Sequence, residues 1–313
     1  MRNEIKWAAV LLGCTMIWGA TFPLMKLAMT FLDPIPFLAV RFSIGAAVLW
    51  LLFRRRVRAS PRSIFFHGAV LGLSLYLAMV LQVFGLTMTS STNSAFLSAI
   101  YIAVIPVYTA LVKKTRLPPE NVFAVTLVTI GMLFVCGAVE IDLSGGFPLV
   151  WSMTSFGLGD ALTLACSFCF GLYITLSGEY SQKYDPFAIT TVNMGFFALC
   201  AWMVFFIFPQ GGIGYLGHPS LIAALFVTGV FGAALCYGGM ITSQRYLNPV
   251  TVVVLLAGEP VFGALFAMII PIDGQVERMS LSCLAGSAMI LFAIMTGEVA
   301  GALRLSRSGG ERD

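Results

Sequence analysis

Pro106-Val107-Tyr108-Thr109-Ala110-Leu111 returns 154 residues later as Pro260-Val261-Phe262-Gly263-Ala264-Leu265, with four identities and one aromatic exchange in six positions. The same chain repeats Trp18-Gly19 as Phe170-Gly171 and Asp33-Pro34 as Asp185-Pro186, both at an offset of 152. Two matches at nearly one offset describe a duplicated unit about half the chain long. The rest of the sequence decides what that unit is.

Only 10% of the 313 residues are charged and 59% are apolar, against roughly a quarter charged in an ordinary soluble domain. A water-facing shell cannot be made from so few charges. This excludes a soluble globular enzyme and a disordered chain. The net charge of +4 excludes a nucleic-acid module. Seven cysteines, all within apolar runs, do not form the framework of a secreted disulfide domain.

A helix must run for about 20 apolar residues to cross the hydrocarbon of a bilayer, and every backbone group within it must be paired internally. Runs of that kind fall at 7–28, 34–53, 64–87, 92–112, 121–137, 156–178, 186–208, 219–243, 250–270 and 281–300. The expected fold is therefore an all-α integral membrane protein of ten transmembrane helices. With the N-terminus inside, fifteen of the eighteen Lys and Arg residues fall on cytoplasmic segments, leaving Lys26, Arg41 and Arg278. That asymmetry places both termini in the cytoplasm.

Each copy of the repeat holds five runs, and an odd number inserts the second copy upside down relative to the first. The expected organisation is a first five-helix repeat at 1–137, an external linker at 138–155, an inverted second repeat at 156–300 and a cytoplasmic tail at 301–313. Inverted repeats are a recurring plan of secondary transporters, with the substrate site near the midplane where the halves meet.

Trp18-Gly19-x-x-Phe22-x-x-x-Lys26, then Pro34 and Arg41-Phe42, then Glu259-Pro260 resemble the EamA branch of the drug/metabolite transporter superfamily, over essentially the whole chain. The resemblance implies a ten-helix fold with a five-plus-five inverted repeat. It also implies residence in the bacterial inner membrane and export of amino acids and related metabolites.

Ionisable groups inside lipid are costly and need a reason. Glu259 lies about ten residues into its span, near the midplane, where a carboxyl suits proton binding and release; a neutral carboxyl bonded to a neighbouring helix is the structural alternative. Lys26 and Arg41 flank the Asp33-Pro34 turn at seven or eight residues, so in an antiparallel pair they share a depth. They require a substrate carboxylate or a protein acid, unless both snorkel to the headgroups. Asn193 takes the place of Arg41 in the second copy. Gln82, Asn93, Tyr101, Asn193 and Gln244, with Trp18, Phe22, Tyr76 and Tyr237, complete the candidate substrate-binding and coupling set, the make-up of a small-molecule site. Pro106 and Pro260 sit within spans and are candidate gating kinks.

Other motifs carry less. Gly157-Leu158-Gly159-Asp160 and Tyr184-Asp185 imitate an intramembrane aspartyl protease, but the two acids belong at opposite faces of the bilayer. Cys166-x-x-Cys169 has no accompanying ligands, and His67 and His218 belong to opposite interfaces. No nucleotide-binding loop is present, no cofactor or metal is expected, and the partners are a small-molecule substrate and membrane lipid, with proton coupling through Glu259. The expected function is a secondary active transporter of small amphipathic metabolites, outward by alternating access. A passive channel or facilitator for small polar solutes and, further off, an intramembrane enzyme are the alternatives.

Overall fold

The computed structural model describes residues 2–101, 105, 119–135, 139–141, 149–151, 156–208, 216–247, 249–256, 258–272, 274–293 and 296. Pro106, the charges of 111–118 and the tail at 301–313 lie outside them. The described residues form helices α1 (Arg2–Ala28), α2 (Pro34–Ala59), α3 (Ser63–Met88), α4 (Ser91–Ser98) and α5 (Pro119–Val135). After a hairpin follow α6 (Leu158–Lys183), α7 (Pro186–Ile207), α8 (Pro219–Tyr246), α9 (Pro249–Leu256), α10 (Glu259–Ala267) and α11 (Leu281–Ala293). Six of these, α1, α2, α3, α6, α7 and α8, are long and apolar enough to cross a membrane.

The repeated Asp-Pro pairs act alike in the chain. Each opens a helix, with the acid just before the first turn and proline inside it, where its missing N–H costs nothing and its fixed φ suits the helix. The Asp185 carboxylate accepts from the Ala188 N–H at 3.0 Å, whereas Asp33 makes no such bond.

Two apolar runs expected as unbroken spans are interrupted. The fourth is helical over Ser91–Ser98, turns at Ala99 and Ile100, and is helical again at Tyr101. The ninth is divided into α9 and α10, with Gly258 as the cap of α10 and Pro260 in its first turn. Proline has no N–H to give the carbonyl four residues back, so the ladder cannot pass this point. Pro260 therefore opens a new helix and does not bend a continuous one.

The segment expected as a plain linker also carries structure. Strands β1 (Val139–Ile141) and β2 (Leu149–Trp151) pair antiparallel, with Glu140 opposite Val150. The Ile141 N–H donates to Ser282 Oγ at 2.8 Å, which fastens the hairpin to the start of α11.

Helices pack mainly across the two copies: α3 on α6, α2 on α7, and α1 on α8 and α10. Phe42 of α2 and Phe197 of α7 stack with ring centroids 3.5 Å apart. The approach of α1 to α10 depends on Gly19, where a Cβ would stand 2.7 Å from the Gly263 nitrogen. Small residues of this kind let backbones meet where lipid supplies no hydrophobic drive.

Candidate functional site

A cavity of about 40 Å³ lies inside the bundle. Helix α1 turns Trp18, Thr21, Phe22 and Met25 toward it, and α6 turns Phe170, Tyr173 and Ile174. Residues three and four apart share one helix face, and three of these pairs, Trp18 with Phe170, Thr21 with Tyr173 and Phe22 with Ile174, are related by the repeat offset of 152. The duplicated unit thus supplies the same wall twice. The remaining lining comes from Arg41 on α2, Met79 and Gln82 on α3, and Ser98 and Tyr101 at the break after α4. Tyr237 and Met240 of α8, Leu256 of α9 and Glu259 of α10 close the ring.

Arg41 is 1% exposed. Its Nε donates to the Thr228 carbonyl at 3.2 Å and its Nη1 to the Met25 sulfur at 2.7 Å. The guanidinium carbon stands 5.2 Å from the Phe42 ring centre, within cation–π range. These partners are neutral. No ion pair within 4 Å joins Arg41 to Glu259 among the described residues, although both line the same cavity. Glu259 opens α10, and the free N–H groups of that first turn favour a negative group there.

The acceptors for Arg41 and Trp18 come from an unusual stretch of backbone. Residues Val227–Leu235 of α8 form a π-helix. Within it the Thr228 carbonyl takes Arg41, and the Gly232 carbonyl takes the Trp18 indole N–H at 2.9 Å. A carbonyl has two lone pairs, so each can serve a side chain as well as the helix. Wide turns of this sort are rare and occur often at functional sites.

Aromatic edges complete the wall. Tyr237 meets Trp18 at 5.0 Å and Tyr173 at 5.8 Å between ring centroids, both edge-on, and its hydroxyl donates to the Met79 sulfur at 3.7 Å.

Seven expected site residues, Trp18, Phe22, Arg41, Gln82, Tyr101, Tyr237 and Glu259, thus meet at one cavity. Five do not line it. Tyr76 packs edge-on against Phe197. Asn193 lies behind the wall, its Nδ2 donating to the Tyr173 hydroxyl at 2.8 Å. Gln244 ties α8 to α6 by donating to the Ile174 carbonyl and accepting from Ser177 Oγ, each at 2.9 Å. Asn93 belongs to the first turn of α4, its N–H donating to Ser90 Oγ.

Lys26 does not join Arg41 at the cavity. Its ammonium donates to the Thr89 carbonyl at 2.7 Å and pairs with Glu277 at 3.8 Å, so a protein acid supplies the company its charge requires. Glu277 was not among the expected site residues. Its carboxylate accepts from the Ser91 and Thr92 N–H groups and from Thr92 Oγ1, which caps α4. Asp160 accepts from Thr89 Oγ1 at 2.5 Å and from the Gly157 N–H at 3.0 Å. Lys26, Thr89, Asp160 and Glu277 form one polar tie between the two copies. Asp160 is accounted for as a capping residue.

Among the described residues no group of His, Cys, Asp and Glu is arranged to hold a metal ion. Cys166 Sγ donates to the Thr163 carbonyl. His67 bonds Tyr184 at 2.7 Å, while His218 stacks on Phe31.

A polytopic helical bundle around a small cavity lined by aromatic rings, Arg41 and Glu259 has the build of a membrane transporter. The comparisons make the class specific: the EamA-like transporter family matches residues 5–137 and again 157–296, and the chain belongs to that family. A relative from Archaeoglobus fulgidus named as an uncharacterized transporter is 27% identical over 254 residues, 81% of this chain and 74% of the relative. A second from the same organism is 28% identical over 82% of this chain and 87% of its own length. The transporter YyaM of Bacillus subtilis, likewise named uncharacterized, is 25% identical over 59% of this chain and 60% of its own. A crystal structure at 17% identity shares the fold, with a TM-score of 0.69 over 95% of this chain and 98% of that one.

Proposed function

We propose that this transporter is a secondary exporter of small zwitterionic or amphipathic metabolites, amino acids and their relatives, across a bacterial inner membrane. The observation that carries the reading is the presence of Arg41 and Glu259 on one cavity without an ion pair within 4 Å between them. A substrate carboxylate fits the guanidinium, an ammonium fits the carboxylate, and the remainder of the molecule lies against the rings of Trp18, Tyr101, Tyr173 and Tyr237.

The carrier has ten transmembrane helices in two inverted copies, 1–137 and 156–300, joined by the external segment 138–155, with the tail at 301–313 and both termini in the cytoplasm. Substrate enters the cavity from one side and leaves on the other, so helices part on one side and then the other. Alternating access of this kind is what inverted repeats support. Breaks beside Tyr101 and Pro260 are the places where the halves yield, and Pro106 is the counterpart of Pro260 in the first copy. Glu259 couples the cycle. It takes a proton from outside as substrate leaves, carries it inward as the neutral acid, and releases it to the cytoplasm as the next substrate binds.

The test is flux in proteoliposomes at imposed pH gradients. The substrate is first found by counterflow across amino acids, purines and amphiphilic amines. Saturable counterflow identifies a carrier, and linear flux without counterflow identifies a channel. Glu259→Gln is expected to retain counterflow at a raised half-saturation, because the ammonium loses its partner, and to lose acceleration by the gradient. A gradient dependence identical to that of the wild type removes Glu259 from the mechanism.

A further inference from the structure

A second depression lies on the outer surface of the bundle, away from the transport cavity. It is a groove of about 200 Å³ between α2, α3 and α7, walled by Trp50, Phe65, Val192, Phe196 and Leu199. Its rim is turned outward: Trp50 is 42%, Phe65 48% and Leu199 51% exposed. Gly195 leaves the space open, because a Cβ built there meets nothing within 4 Å. Thr191 also lines the groove, but its hydroxyl donates to the Phe187 carbonyl at 2.7 Å. The groove therefore presents hydrocarbon to hydrocarbon.

One end of the groove is basic. Arg54 stands four residues beyond Trp50 on α2, one turn along the same helix face. Arg62 stands three residues before Phe65, at the start of α3. Both arginines are exposed, and among the described residues neither has an ion pair. Arg56 differs: it is committed to Asp185 at 3.1 Å and lies over the rings of Phe53 and Phe187. Arg55 and Arg58 are exposed as well, but Arg54 and Arg62 are the two whose sequence spacing sets them one turn from groove residues, and guanidinium forks match phosphate oxygens.

We propose that this groove is a binding site for an anionic phospholipid. One acyl chain lies along Trp50, Phe65 and the opening over Gly195, and the headgroup phosphate sits between Arg54 and Arg62. The charge selects the headgroup, because in phosphatidylcholine the choline cation offsets the phosphate. Since α2 and α3 come from the first copy and α7 from the second, the bound lipid bridges the two halves.

Trp50 is a built-in reporter. The full-length protein is reconstituted in nanodiscs of phosphatidylcholine carrying a small fraction of phosphatidylglycerol with brominated chains, or the same fraction of brominated phosphatidylcholine. The quenching that disappears in Trp50→Phe is the groove signal. Phosphatidylglycerol is expected to produce that signal at a lower mole fraction, by about fivefold per arginine. Arg54→Gln and Arg62→Gln together are expected to abolish the preference, and both positions are exposed, so folding is retained. Gly195→Leu fills open space and is expected to weaken quenching by either lipid. Equal quenching by the two lipids, a preference that survives loss of both arginines, or quenching unchanged by Gly195→Leu would overturn the proposal.

Discussion

Helices α1 and α6 present the same face to the cavity, while α2 and α7 do not. Trp18, Thr21 and Phe22 are answered by Phe170, Tyr173 and Ile174 at a constant offset. Arg41 on α2 is answered by Asn193 on α7, which is equally buried but turned to the back of Tyr173. The last helices differ likewise. Glu259 opens α10 at the cavity, and its counterpart at the offset of 154 is Ile105. The shape of the site is inherited twice from one duplicated unit, and its charges arise where the copies depart from each other. A symmetric wall with asymmetric charges can grip the two ends of a dipolar molecule differently while both halves move in the same way.

The largest expected effect follows from removing a charge that occurs once. Arg41→Gln keeps a polar side chain but loses the guanidinium, and truncating one partner of a buried charge contact costs about 2–5 kcal/mol. Half-saturation for substrate in counterflow is expected to rise about 100-fold. A rise of only a few-fold would mean that substrate does not meet Arg41, and the asymmetry would then be structural.

A smaller effect is expected behind the wall. Asn193→Ala strands the Tyr173 hydroxyl, and a buried polar group left unpaired costs about 1–3 kcal/mol. Asn193 Oδ1 already lacks a partner, so its removal offsets part of that loss. Thermal unfolding is expected to fall with Asn193→Ala, and Tyr173→Phe combined with it is expected to add little. Additive losses would show that the two side chains do not act as a pair.

Much of this could be read from the chain. Hydropathy places depth well, so Arg41 and Glu259 were recognisable as intramembrane charges and do meet at one cavity. Hydropathy does not give rotation about a helix axis. Tyr76 and Gln82 lie on the same helix, yet they point about 120° apart, and only Gln82 faces the cavity. Long-range ties are also invisible. Lys26 and Glu277 are far apart in sequence, so nothing local says that this acid satisfies that ammonium. The π-helix whose carbonyls hold Arg41 and Trp18 has no composition of its own. The break before Pro260 was half legible: the proline announced a lost bond, while the turn at Gly258 decided that the helix restarts there.

The smallest effects are expected where the copies agree. Trp18→Phe makes the first wall match Phe170 of the second. It removes the indole bond to Gly232, worth about 0.5–1.5 kcal/mol net, and keeps an aromatic edge near Tyr237. Counterflow is expected to slow by less than about tenfold, the upper end of that range. Phe170→Trp is the converse exchange. Phe170 is half-buried and lies 6.5 Å from the Tyr101 ring, so a larger ring can be accommodated by the rim, and transport is expected to stay close to the wild-type rate. If Phe170→Trp proves as damaging as Arg41→Gln, the two walls are not interchangeable. The duplicated face would then be a selective surface in its own right, and substrate recognition would rest on ring shape as much as on the two charges.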